Sequence, residues 1–578
     1  MHRLIRGWRP LGAVLFLLVT LGPGAANATP SPEGHVDAEA QGGFAVASAH
    51  PMATDAGIAV LRAGGNAFDA AIAVTAMLAV VEPSASGLGG GGFYLLHQAH
   101  DGRDVMIDAR ERAPLAAHRD LYLDREGQVI PGLSVNGPLA AGIPGIPAAL
   151  DHLAQGYGTR PLGKLLAPAI QVAREGFPVD EHLLRYLGFR APALRGTPAE
   201  AVFLRGGDLP GAGTLLRQND LARSLERIAR EGRDGFYTGA LGRRLVQGVR
   251  SAGGIWSEKD LADYSVVERD PIVSRYQGLK VISVPPPSSG GVALATMLNM
   301  LKQRPLGPKG SVQRMHLLTE IMRRAYRDRA LYLGDSDHVD VPVARLTSPI
   351  HARDLGADIG AASATPSALL DGDGALPEEG RDTTHFSILD RWGNRVAATL
   401  SINYPFGSGF MVPGTGILLN NEMDDFSAAP GTPNGYGLVG SEANAIAPGK
   451  RMLSSMSPTF IEAADGRGAI LGTPGGSRII TMVLLGILDY AEGGDARSMT
   501  TIPRFHHQYL PDLLQYEEGT LSLQKQQALE GLGHSLKAVS RGFYGNMQVV
   551  TWEHEGRHVG AASDPRGGGK ATAVAAQR

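Results

Sequence analysis

A threonine hydroxyl attacks a carbonyl only when a base stands beside it. A threonine at the head of a chain can use its own α-amine for that purpose. With a pKa of about 8, the free amine suits general-base catalysis near neutrality. Thr383 stands where this logic needs a threonine, at the end of the small, acidic stretch 360–382 and at the start of the alternating run Thr383 to Leu389. Before such a cut, the same hydroxyl could attack the Asp382 carbonyl, giving an ester that water opens. A threonine opening a strand is also ordinary, and the local sequence leaves both readings open. A second feature is Thr473-Pro474-Gly475-Gly476, between the apolar run Gly468 to Gly472 and the long apolar helix expected from Arg478 to Ala491, for which Ser477 is the expected cap. A strand, a glycine turn and a helix aim unpaired N–H groups at one point, with the helix's positive end behind them. A tetrahedral oxyanion needs such donors; a turn that merely joins two elements is the other reading.

The elements that must position these residues follow from the patterning. Apolar and charged residues make up 43% and 19% of 578 positions, which reads as globular and long enough for one large or two medium domains. The net charge of -3 gives no reason to expect nucleic acid or an anionic membrane surface. There is no cysteine, which excludes thiol catalysis, disulfides and cysteine metal sites. Glycine supplies 77 residues in clusters, favouring a site built from loops. Gly43 to Ser48 reads as a strand, Pro51 to Ala63 as a helix, and Asn66 as the cap of a second helix through Val81. The glycine run Gly87 to Gly92 contains G-x-G-x-x-G, but it follows a helix and precedes a strand, the reverse of a dinucleotide loop. Helical patterns cover Leu162–Glu175, Asn219–Glu231 and Val312–Tyr332, and the stiff turn Pro285-Pro286-Pro287 leads to another over Val292 to Leu301. Stretch 360–382 reads as the best linker, and Thr383 to Leu389 with Arg395 to Ser401 reads as a hairpin. Strands and helices alternate in both halves, which predicts α+β layers. Arg3, Arg6 and Arg9, the apolar run Leu11 to Leu21 and Ala26-Asn27-Ala28 have the three parts of a secretory signal.

Several runs in one order resemble γ-glutamyltranspeptidases. They are Pro51 to Gly92, Asp108-Ala109-Arg110-Glu111, the triple-proline turn, Asp382-Thr383-Thr384-His385-Phe386-Ser387, Gly416 to Phe426, Leu453-Ser454-Ser455-Met456-Ser457-Pro458, Gly472 to Arg478, Pro503 to Gln508 and Ser563-Asp564-Pro565-Arg566. They cover nearly the whole chain beyond the signal. The resemblance implies an N-terminal-nucleophile hydrolase fold, a four-layer αββα sandwich. It also implies a signal peptide at 1–28 and a precursor cut between Asp382 and Thr383 into a large subunit, 29–382, and a small one, 383–578, paired as a heterodimer. Export to periplasm or medium is expected, with no membrane span left after signal cleavage.

The resemblance also implies roles. Thr383 would be the nucleophile, Ser401 would hydrogen-bond its amine where many relatives carry Thr, and Gly475 and Gly476 would form the oxyanion hole. Arg110, helped by Ser454 and Ser455, would hold the donor's α-carboxylate. Asn403, Glu422 (Gln in some relatives) and Asp425 would accept from its α-ammonium. Pro430 to Leu438 resembles a pocket lid with Tyr436 as its gate. The expected reaction is γ-glutamyl transfer from glutathione or similar amides to water, amino acids or dipeptides, with no cofactor and no metal. Adjacent His506 and His507 point apart on extended backbone and read as structural, as does His385 within its strand. Two alternatives stand beside this: a glutaryl or cephalosporin acylase on the same scaffold, and an uncleaved, non-catalytic binding protein.

Overall fold

The computed structural model describes residues 36–41, 43–370, 383–540, 542, 544–553 and 558–575. The expected signal peptide and Asp382 lie outside the described residues. The strands that matter are, in chain order, β1 (Val36–Gln41), β2 (Gly43–Ser48), β3 (Gly91–Gln98), β4 (Arg103–Ala109), β5 (Val267–Arg269), β6 (Ile272–Tyr276), β7 (Leu279–Ser283), β8 (Thr384–Leu389), β9 (Arg395–Ser401), β10 (Thr459–Ala463), β11 (Gly468–Gly472), β12 (Gln548–Glu553), β13 (His558–Ser563) and β14 (Lys570–Ala575). They form two antiparallel seven-stranded sheets, ordered β1-β13-β12-β11-β10-β7-β6 and β14-β2-β8-β9-β3-β4-β5.

The two-residue period of a strand explains the layering. In β2, Phe44 and Val46 join one core with helices α1 (Pro51–Arg62) and α2 (Ala67–Val81), while Ala45 and Ala47 join a second core shared with the opposite sheet. β8 does the same: Phe386 and Ile388 face the helices, and Ser387 Oγ donates to the Gln548 carbonyl of the other sheet at 3.0 Å. Helices α3 (Gly290–Leu301), α4 (Val312–Tyr332) and α5 (Ile479–Ala491) cover the outer face of the β11-containing sheet. The result is helix, sheet, sheet, helix, as expected. α2 starts as predicted, with Asn66 and Asp69 in a reciprocal capping box.

Two expectations are corrected. Ser477 is not a cap: a 3-10 turn, Gly476–Arg478, precedes α5, and no side chain caps it. The Ser477 carbonyl instead accepts from the Tyr326 hydroxyl. The first part of the expected linker is anchored at two points: most of residues 360–370 are exposed, but Ser367 is buried and donates to the Tyr509 carbonyl at 2.6 Å, and Gly360 O bonds His316 at 2.8 Å.

Candidate active site

Strand alternation carries Thr383 to the site. His385 lies between the sheets, so the residue two before it shares that inner face, at the open end of β8. Thr399 is likewise inward, and Ser401, two residues on, ends β9 on the same face. The Thr383 hydroxyl donates to Ser401 Oγ at 3.4 Å, and Ser401 Oγ accepts from the Asn403 amide at 2.8 Å. The run Gly87 to Gly92 permits this corner: a Cβ on Gly90 would lie 2.2 Å from the Ser401 carbonyl. That is the use of the glycine run, in place of phosphate binding.

β11 ends beside the same corner. Gly475 and Gly476 have φ of 137° and 56°, which only glycine adopts without strain, and a Cβ on Gly476 would lie 2.3 Å from the Tyr436 ring. Among the described residues, neither amide donates to an acceptor. The glycine turn therefore presents N–H groups at the start of α5, as an oxyanion requires.

Arg110, Thr383, Ser401, Asn403, Glu422, Asp425, Tyr436, Ser454, Ser455 and Gly476 line one small cavity of about 20 Å³, joined by Leu438, Met456 and Ile479. Gly475 adjoins it. The charged residues of the set are paired with each other: Arg110 Nη1 donates to Glu422 at 2.6 Å and Nη2 to Asp425 at 2.5 Å. Buried Glu111 stands 3.7 Å from Arg110 Nη1, with no hydrogen bond to either oxygen. Burial, then Glu422, holds the Glu111 carboxyl well above its ordinary range. Burial pushes Glu422 up to about 7; Arg110 pulls the other way, Asp425 adds to the rise, and Ser401 opposes it. The triple-proline turn fixes the serine pair: Ser454 N–H donates to the Pro287 carbonyl at 2.8 Å, and Ser288 Oγ donates to the Met456 carbonyl at 2.6 Å.

Tyr436 lines the cavity. Its hydroxyl donates to the Asn403 carbonyl at 2.8 Å, its carbonyl accepts from Gln508 at 3.0 Å, and its ring meets that of Tyr404 edge-on at 5.3 Å. Asp424, given no role from the sequence, is buried and ties this segment down. It accepts from Ser134 at 2.6 Å and from the Gly435 amide at 2.9 Å. Burial raises its carboxyl to about 6. The histidines are structural: His385 bonds Thr399 and Ser387 and is pushed down to about 3 by burial, His506 bonds Thr481 and Gln508, and His507 bonds Asp512. Two clusters elsewhere have metal-like spacing, His316/Glu320/His534 and His97/Asp104/Glu462. In each a protein cation meets the carboxylates: Arg323 and Arg324 on Glu320, and Lys280 on Asp104 and Glu462. Sequence reasoning missed one charged neighbour, Arg329 on α4, whose Nη2–H donates to Ser455 Oγ at 3.3 Å. Its local pattern is that of any helical arginine.

Two antiparallel sheets between helical layers, with a threonine hydroxyl at the mouth of the inner layer, define an N-terminal-nucleophile hydrolase fold. The gamma-glutamyltranspeptidase profile matches residues 53–574. A glutathione hydrolase proenzyme of Escherichia coli (strain K12) is 42% identical over 526 residues, 90% of each chain. A crystal structure of a cephalosporin acylase from Bacillus halodurans aligns with a TM-score of 0.83 at 28% identity, over 96% of this chain and 99% of that one. One of Helicobacter pylori γ-glutamyltranspeptidase aligns with a TM-score of 0.55 at 39% identity, over 56% and 93%. The chain belongs to the γ-glutamyltranspeptidase family.

Proposed function

We propose that this enzyme transfers the γ-glutamyl group of glutathione and related γ-glutamyl amides to water or to the amine of an amino acid or dipeptide. The acyl group passes through an ester on Thr383. The precursor is cut between Asp382 and Thr383 into subunits 29–382 and 383–578 that stay paired, and the protein acts after export. Relatives named as proenzymes support the cut.

The observation that carries the reading is the mixed-charge cavity at the Thr383 hydroxyl, where one arginine stands between two carboxylates. Such a site suits the zwitterionic end of a γ-glutamyl donor. The α-carboxylate exchanges onto Arg110 and the Ser454–Ser455 hydroxyls, and the α-ammonium takes the acceptors of Asn403, Glu422 and Asp425. The γ-carbonyl then lies between Thr383 and the Gly475–Gly476 amides. The freed α-amine of Thr383, steadied by Ser401, takes the hydroxyl proton during attack and returns it to the leaving amine. Tyr436 keeps bulk water from the ester, which favours an amine acceptor.

The test compares release of nitroaniline from γ-glutamyl and glutaryl p-nitroanilides, with and without glycylglycine. The glutamyl compound is expected to react faster and to be accelerated further by the dipeptide. Preference for the glutaryl compound would move the enzyme to the acylase class, of which one solved relative is a member. The carboxylate acceptors argue against that outcome, because a substrate without an amine leaves their charges without a partner.

A pH dependence follows from Glu422. Only its ionised form attracts the donor's ammonium, so kcat/KM for the γ-glutamyl anilide rises as pH increases through about 7. Glu422→Gln removes this rise and leaves any limb belonging to the Thr383 amine. The linked stability has the opposite sense. The folded carboxyl binds its proton more tightly than the unfolded one, so stability falls between the ordinary 4.5 and about 7. An unchanged pH profile in Glu422→Gln would assign the limb to another group.

A further inference from the structure

Arg329 is 5% exposed and has no carboxylate at ion-pair distance among the described residues. Its Nε–H donates to Ser289 Oγ at 3.0 Å and its Nη2–H to Ser455 Oγ at 3.3 Å. Burial opposes its charge and Arg110 adds to the strain, while Tyr326 and Asp425 offset part of it. A buried cation without an anion is costly, and its persistence needs a reason.

The hydroxyl geometry supplies one. A serine hydroxyl that accepts from a guanidinium must send its single proton elsewhere. Ser289 sends its proton to the Ser454 carbonyl, 2.7 Å away, which fixes the loop. Ser455 Oγ donates to no acceptor among the described residues, and Ser455 lines the cavity beside Arg110. With Arg329 behind it, the Ser455 O–H is turned toward the cavity as a polarised donor. The charges agree: Arg110 and Arg329 stand by the same serine pair and carboxylates, so a donor carboxylate placed there meets one cation directly and a second through Ser455.

We infer that Arg329 is a positioning residue for the donor's α-carboxylate, acting through the Ser455 hydroxyl as a second, indirect cation beside Arg110. This rests on the γ-glutamyl reading above.

The experiment measures competitive inhibition by glutamate and by 4-aminobutyrate, which has the same chain and ammonium but no α-carboxylate. Wild type, Arg329→Met, Arg329→Lys and Ser455→Ala are compared, with the γ-glutamyl anilide as reporter. Arg329→Met is expected to weaken glutamate about tenfold and 4-aminobutyrate less than about threefold, with KM rising more than kcat falls. Arg329→Lys should restore part of the glutamate affinity. Ser455→Ala should reproduce the glutamate-selective loss, and adding it to Arg329→Met should add little. Equal losses for both inhibitors, or none for glutamate, would overturn the inference. If Arg329→Met yields no mature protein, Arg329→Lys and Ser455→Ala decide it by the same selectivity. Failure of the wild type to hydrolyse the γ-glutamyl anilide would instead overturn the proposed function.

Discussion

Thr383→Ala is expected to yield one uncut polypeptide on denaturing electrophoresis and to lose γ-glutamyl anilide turnover by about 10⁴-fold or more. One atom is asked to serve twice. On the proposed mechanism its hydroxyl attacks the preceding carbonyl in the precursor and the substrate in the mature enzyme. Nothing nearby can replace it. The chain has no cysteine, the adjacent Thr384 points by strand alternation toward the α1–α2 layer with Phe386, and Ser401 is held by the Asn403 amide. Alanine keeps the Cβ and removes a small group at the mouth of the inner layer, so the fold survives the change. Thr383→Ser restores a hydroxyl and should restore cutting, which separates loss of the nucleophile from loss of shape. A Thr383→Ala protein that still splits into two subunits would place maturation on another residue, and the amine-as-base mechanism would fall with it.

How much of this was legible in the sequence depended on distance along the chain. Elements were readable because their signals are local. Leu162–Glu175, Asn219–Glu231 and Val312–Tyr332 are helices at the predicted bounds, and β9 and β11 match their alternating runs. The errors fall where a local signal met a tertiary competitor. Ser477 has cap chemistry, but the positive φ of the two preceding glycines forces a 3-10 turn that presents amides instead. Residues 360–370 have linker composition, yet the Ser367 hydroxyl and the Gly360 carbonyl find partners in distant parts of the fold.

The site is a different matter. Arg110 meets Glu422 across 312 positions and Ser288 meets Met456 across 168, and no periodicity encodes such meetings. The residue types were therefore readable, through the family resemblance, while their pairing was not. An arginine and two acids were expected to wait for opposite ends of a substrate; they hold each other instead. Burial explains that, because each charge alone would lack a counterion. Arg329 and Asp424 went unnoticed for the related reason that a buried polar residue in a long helix or an acidic turn looks like a solvated one.

That mutual pairing makes Arg110→Met the change with the second largest effect, and one that acts on two quantities. Removing the guanidinium strands Glu422 and Asp425 beside Glu111 in a buried place. Breaking such a pair by deleting one partner costs ~3–5 kcal/mol. The loss should be smaller at pH 5 than at pH 8, because carboxyls that have lost their cation escape the penalty by taking up protons. Activity toward γ-glutamyl anilide should fall by about a hundredfold or more, since on the proposed function two charge-assisted bonds to the donor go at once. Arg110→Met combined with Glu422→Gln separates the effects. Removing one stranded charge should recover much of the thermal midpoint at pH 8, whereas activity should stay low because the carboxylate clamp is still missing. Recovery of both together would mean that Arg110 serves the fold alone and that the donor's carboxylate is held elsewhere, with buried Arg329, bonded to Ser455, then the next cation to test.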